Sequence, residues 1–127
     1  MDDIASYANY AAAFERAYAS DNWDEVREYF AEEAVYEVNG GAPFGGVWKG
    51  RDVIVNHLME SVNQFDRTYD KRELSVLSGP EMRNGGVHVG WTATYKREGK
   101  PDLVVVGEEE AWFRDGKIIH LRDTMPS

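Results

Sequence analysis

The sequence predicts an α+β domain in which N-terminal helices pack on a strongly curved antiparallel (mixed) sheet and enclose a pocket. Three observations predict it. Apolar residues recur at helical spacing through most of the first 65 positions, period-two alternation takes over afterwards, and large aromatic rings exceed what one small sheet needs for its core. Helices covering the concave side of a twisted sheet leave a cavity, a usual place for ligands.

The elements follow in order. Ile4, Tyr7, Ala11, Phe14 and Tyr18 share one helical face, and the alanines around them favour helix. Ser20-Asp21-Asn22 ends this segment. Asn22 with Glu25 has the spacing of a capping box, opening a second helix through Phe30 with Trp23, Val26 and Phe30 as its apolar stripe. Ala34 to Val38 reads as a short strand. Gly40 to Gly50 reads as a loop whose Phe44 and Trp48 fold back over apolar surface. A third helix runs from about Asp52 to Phe65, with Ile54, His57, Leu58, Ser61, Val62 and Phe65 on one face. Arg72 to Leu77 is a strand stopped by Ser78-Gly79-Pro80. In the next, Val87, Val89, Trp91, Ala93 and Tyr95 alternate with polar or small residues. Leu103 to Phe113 and Ile118 to Asp123 form a hairpin about Asp115-Gly116, a dipeptide suited to a primed turn.

Composition narrows the function. The chain has 127 residues, the size of one domain spanning 1–127. It carries a formal net charge of −9 and no cysteine. The charge repels phosphate backbones, so no nucleic-acid partner is expected. Lack of thiols removes disulfides, thiolate catalysis and cysteine-bound metals, and suits a cytoplasmic setting. The first residues are acidic with no long apolar run after them, so neither a signal peptide nor a membrane span is expected.

Three stretches carry a resemblance to a known family. They are Tyr18 to Val35 with Trp23-Asp24 and Phe30 to Tyr36, then Trp48-Lys49-Gly50-Arg51-Asp52-Val53-Ile54, and last Phe113-Arg114-Asp115-Gly116-Lys117-Ile118-Ile119 through Asp123. In this order they resemble the nuclear transport factor 2-like superfamily, and within it the SnoaL-like and ketosteroid-isomerase-like branch. The resemblance implies a cystatin-like cone with a deep pocket, frequently a homodimer. It does not imply steroid isomerisation, because Val38 stands at the position of the proton-transferring aspartate and Phe14 at that of the oxyanion-stabilising tyrosine.

The candidate chemistry sits in the closing hairpin. Ile119, Leu121 and Asp123 share one face by period two, with His120 and Arg122 on the other. The resemblance to SnoaL-like cyclases makes Asp123 the acid/base group; the alternative is a solvated aspartate at a strand end. Glu109 falls where the isomerase-like branch places a second pocket acid. Setting Trp91 opposite Gly107 turns Glu109 inward with Val89, Ala111 and Phe113, whereas a plain two-residue turn pairs Glu108 with Asp123. Only a bulge or longer turn brings Glu109 beside Asp123, and otherwise Glu108, Glu109 and Glu110 are an edge kept charged against aggregation. His57 is a candidate proton shuttle or a hydrogen-bonded histidine of the core wall. Tyr7, Phe14, Tyr18, Tyr36, Val38, Phe44, Trp48 and Trp91 are the candidate ligand-binding lining. His88 and His120 point outward, which leaves a metal site without support. The glycine-rich loop lacks the Lys and Ser or Thr of a phosphate loop.

The expected ligand is thus a small apolar or aromatic molecule, handled by a polyketide-cyclase or isomerase type of proton transfer that needs no cofactor. The alternative is a non-catalytic ligand-binding or dimeric interaction module. Epoxide hydrolysis would need an inward arginine, and Arg122 faces away from Asp123. The outer sheet face, with Val104, Val106 and Trp112 among Thr92, Thr94 and His88, is the expected homodimer surface.

Overall fold

The computed structural model describes residues 2–41 and 44–126. Met1 and Pro43, counted above in the acidic start and the glycine-rich stretch, lie outside the described residues. Helix α1 (Asp3–Ser20) is followed by a single turn, α2 (Asp24–Arg27). Strands β1 (Phe30–Asn39) and β2 (Gly46–Lys49) precede helix α3 (Arg51–Gln64) and a 3-10 turn (Asp66–Thr68). Four strands complete the chain: β3 (Lys71–Arg83), β4 (Gly86–Lys96), β5 (Leu103–Arg114) and β6 (Lys117–Thr124). They form one six-stranded sheet in the order β2-β1-β6-β5-β4-β3. All neighbours are antiparallel except β1 and β6, so the sheet is mixed.

Helix α1 forms where alanines and the Asp2 cap cooperate. The Asp2 side chain accepts from the Ala5 N–H at 2.7 Å, satisfying one of the orphan donors of the first turn. Tyr7, Tyr10, Ala13 and Ala17 form its buried stripe. In α3 the stripe is Ile54, Val55, Leu58 and Val62. Both stripes meet the concave sheet face through Phe30, Ala34, Val87, Val89, Ala111, Ile118 and Leu121. Full burial of a side chain the size of Phe30, Ile54 or Leu121 contributes roughly 1.5–3 kcal/mol.

Five local expectations are corrected. The Asn22–Glu25 capping box is not made: Asn22 Oδ1 accepts from the Asp24 N–H, and Glu25 pairs with Arg16 instead. The second helix therefore lasts one turn, and Phe30 opens β1 opposite Ile118. The stretch read as loop contains β2, because Trp48 and Gly46 find partners in Tyr36 and Val38. Strand β3 does not stop at Ser78-Gly79-Pro80 but continues past it through irregular pairing to Arg83. In β6 the extra residue Ile119 breaks the period, so Ile118 rather than Ile119 is the fully buried position.

The insertion of β6 between β1 and β5 positions the site. It sets Asp123 beside Val38 on one side and Glu109 on the other. The β5–β6 turn itself has positive φ at Asp115 (52°) and Gly116 (77°), the signature of a primed two-residue hairpin.

Candidate functional site

The bulge at Ile119 decides which glutamate faces the interior. A two-residue turn pairs Arg114 with Lys117 and Phe113 with Ile118; the extra residue then shifts the register by one. Glu109 becomes the cross-strand partner of Asp123, and Trp91 lies opposite Gly107 across β4–β5. Both carboxyls thus stand on the concave face under α1, while Glu108 and Glu110 point outward.

Each carboxyl is held by its own tyrosine. The Tyr7 hydroxyl, from α1, donates to Glu109 Oε1 at 2.6 Å. The Tyr36 hydroxyl, from β1, donates to Asp123 Oδ2 at 2.6 Å. Asp123 Oδ1 is buried with no hydrogen-bond partner. Burial, and then the neighbouring Asp123, hold Glu109 protonated well above the usual carboxyl range. Burial raises Asp123 as well, opposed by the hydrogen bonds from Glu109 and Tyr36. The two carboxyls therefore share a proton over a range in which isolated ones would both be ionised. The phenols of Tyr7, Tyr10 and Tyr36 are pushed up by burial and by these acids, so they remain donors. Although enclosed by the fold, Glu109, Asp123, Trp48 and Trp91 all keep part of their surface accessible.

The other expected residues divide by distance from this pair. Trp48 stacks on Tyr36 with ring centroids 5.7 Å apart and in parallel on His57 at 3.6 Å. His57 therefore reaches the carboxyls only through rings; its own hydrogen-bond partner is Ser61 Oγ at 3.3 Å. Burial lowers its pKa, leaving the imidazole neutral at pH 7. Trp91 lies over Gly107, where an added Cβ would meet the indole at 2.6 Å. Val38 is buried beside Asp123. Phe14 turns edge-on to Trp23, with Tyr10 between it and the carboxyls' neighbourhood. Phe44 is 50% exposed and leans on Phe65.

Tyr18 belongs to a separate group. Its ring lies under the guanidiniums of Arg72 (4.6 Å) and Arg67 (5.3 Å). Arg72 also pairs with Glu15 at 2.9 Å and lies 3.6 Å from Asp66, which receives the Tyr95 hydroxyl. This network ties α1 to the start of β3. Sequence reading passed over it, and it passed over Tyr10 too, although Tyr7 and Tyr10 stand one turn apart on the buried face.

A surface depression of about 460 Å³ lies between α2 and α3, lined by Trp23, Arg27, Asp52, Val55 and Met59 among others. It contains neither carboxyl. On the outer sheet face His120 Nε2 meets Glu37 at 2.6 Å. His88 stands on the same face but is only 4% exposed, 3.3 Å from Glu108. Among the described residues no group of three or more histidines and carboxylates is arranged to hold a metal, and no helix is long and apolar enough to cross a membrane.

Known structures share this fold at low identity. An Anabaena variabilis protein of nuclear transport factor 2-like type superposes with a TM-score of 0.77 at 15% identity, covering 98% of this chain and 90% of its own. A Rhodopseudomonas palustris protein provisionally named an isomerase gives 0.74 at 13%, with 94% and 88% covered. A Methylobium petroleophilum protein of unknown function with a cystatin-like fold gives 0.68 at 16%, with 98% and 78% covered. No functionally curated protein matches the sequence. The family model of the SnoaL-like domain matches residues 11–121, a span from the middle of α1 into β6 that holds Tyr36 and Glu109, and the chain belongs to the SnoaL-like domain family.

Proposed function

We propose that this SnoaL-like chain, a single domain over 1–127, binds a small apolar or aromatic molecule against the Glu109–Asp123 pair and moves a proton on it. The reaction class is that of a cofactor-independent cyclase or isomerase. One observation carries the reading: two enclosed carboxyls are cross-strand partners, each with its own buried phenol donor. Such a pair offers a base and an acid together. Asp123, ionised, takes a proton from a substrate carbon next to a carbonyl. Glu109, protonated, gives its proton to the developing enolate oxygen. The pair then resets by one proton passing from Asp123 to Glu109. Tyr7 and Tyr36 hold both groups in place, and Val38, Trp48 and Trp91 supply apolar wall, whereas Phe14 and Phe44 stand away from the pair. His57 acts at one remove, by fixing Trp48 against Tyr36.

The test needs no known substrate. Deuterium uptake at activated C–H positions in a panel of small aryl ketones is followed by NMR. Wild type should catalyse exchange in a member of the panel, and Asp123→Asn should slow it by about 10²–10⁴-fold, the usual worth of a general acid–base group. Exchange that survives Asp123→Asn removes Asp123 from the mechanism. The non-catalytic alternative draws on Phe14 and Val38 at the two isomerase positions, and it gains ground if ligands bind without exchange.

We also propose a cytoplasmic homodimer joined through the outer sheet face. Support comes from the cysteine-free composition and from Val104 (58%) and Val106 (46%), exposed side by side with Thr92 and Thr94. Sedimentation of wild type against Val104→Lys/Val106→Lys checks the assembly.

A further inference from the structure

The inward face of β4 is closed except at one position. Val87, Val89, Ala93 and Tyr95 are buried, whereas Trp91 among them keeps accessible surface. Its indole lies over Gly107, where an added Cβ would meet the ring at 2.6 Å. Gly107 stands two residues before Glu109 on the same face of β5. On the other side Trp91 has Val76 of β3 as its cross-strand partner, and Leu74 pairs with Ala93. Val76 is 60% exposed and Leu74 47%. Cross-strand partners share a face, so Asp123, Glu109, Trp91 and Val76 form one line across β6, β5, β4 and β3. Each of the four retains accessible surface.

Two half-exposed aliphatic side chains on an edge strand are a surface in search of a partner. They are not part of the outer patch, because Val104 and Val106 pair with Thr94 and Thr92 on the opposite face. Leu74 and Val76 instead continue the wall that runs from the carboxyl pair through Trp91. The line is one side chain wide where it crosses β4, since Val89 and Ala93 on either side are 4% and 2% exposed. Between Glu109 and Val76 it carries no charged side chain among the described residues. The next inward residue of β3 beyond Leu74 is Arg72, already held by Glu15 and Asp66. With strands about 4.8 Å apart, the line is about 10–14 Å long from β5 or β6 to β3. A narrow apolar track that starts at the carboxyls and ends at an open edge fits a flexible chain better than a flat protein surface.

We propose that the ligand carries an unbranched alkyl tail, which lies along the Trp91 indole and ends on Val76 and Leu74. This inference rests on the proposed function for where the ligand's reacting end sits. Leu74 and Val76 then set the tail that is accepted, and neither residue takes part in the proton transfer.

The test measures the affinities of p-methyl-, p-butyl- and p-hexylacetophenone by titration calorimetry. Affinity should rise about 2–4-fold for each added methylene, the worth of burying it in part or in full. Leu74→Asp/Val76→Asp should leave p-methylacetophenone within about 2-fold of wild type and remove most of the rise, because a tail laid there would desolvate a carboxylate. Leu74→Ser/Val76→Ser, which adds no charge, should remove about half of it. Both positions are half-exposed, so these variants keep the core intact. Equal affinities across the series, or no binding by p-hexylacetophenone, overturns the proposal. So does an unchanged rise in the Asp variant, and if its sedimentation changes as well, β3 is a contact between copies of the chain. Deuterium exchange in unsubstituted acetophenone is read separately. Exchange with a flat series removes the tail alone, and a rising series without exchange removes the proton transfer alone.

Discussion

Glu109 and Glu110 are neighbours on β5, and Asp123 and Arg122 are neighbours on β6, yet the two faces they occupy solve opposite electrostatic problems. On the outer face Glu110 meets Arg122 at 2.8 Å, Arg122 lies over the Trp112 ring, and Glu37 meets His120. Charges there alternate in sign and remain near water. On the inner face the cross-strand partners Glu109 and Asp123 have the same sign, and two phenols are their donors. The outer arrangement is what any charged sheet surface adopts. The inner one keeps a proton where it would otherwise be lost, a feature expected of a site rather than of a scaffold.

The contrast can be broken at several points, with effects of decreasing size. Asp123→Asn should lower exchange on a responding ketone by about 10²–10⁴-fold while the melting temperature stays nearly unchanged, as calorimetry would register. Tyr36→Phe strips Asp123 of its phenol and should cost about 1.5–3 kcal/mol of stability by urea unfolding, the range for a hydrogen bond to a charged group. The same substitution pushes the Asp123 pKa further up, because the lost bond favoured the ionised form.

Glu109→Gln tests the pH dependence. The folded pKa of Glu109 lies above its unfolded value, so its contribution is complete below the unfolded pKa. That contribution is lost as pH rises through the folded pKa. Wild type should therefore lose up to about 1.4 kcal/mol per pH unit across that window, and the variant should lose less in parallel urea titrations. Smallest is Arg122→Ala on the outer face, within about 1 kcal/mol, as for other part-exposed ion pairs. If Arg122→Ala outweighs Tyr36→Phe, the distinction between the faces fails.

Much of the fold was legible because periodicity is a property of local sequence. The stripe of α3 and the alternation of β4 appear directly in the spacing of Ile54, Leu58, Val62, Val87 and Val89, whereas the helix α1 was legible but not its face: of the expected row Ile4, Tyr7, Ala11, Phe14 and Tyr18 only Tyr7 is buried, beside Tyr10, Ala13 and Ala17. What failed was set by pairing at a distance. Phe30 looks like the last apolar residue of a helix until Ile118 stands beside it, and Gly46 to Lys49 looks like loop until Tyr36 and Val38 offer their edge.

The site shows the same division. Matching the size of Trp91 to Gly107 turns Glu109 inward, but whether it meets Asp123 depends on a bulge that nothing local to Ile119 announces. The phenol partners were named only as possible lining, since a tyrosine 102 or 87 residues away in the chain carries no mark of the acid it will bind. Tyr18 shows the converse: its helical position is correct, yet Arg72 and Arg67 claim its ring.

The central claim is that Glu109 and Asp123 share a proton inside the fold. Carbon-13 NMR of the side-chain carboxyl carbons, titrated in wild type and in Tyr36→Phe, reads it directly. The account predicts that Glu109 stays protonated far above the ordinary carboxyl range, that Asp123 is raised and coupled to it, and that Tyr36→Phe moves Asp123 higher still. Two independent titrations near pH 4, where free carboxyls ionise, unmoved by Tyr36→Phe, would contradict it.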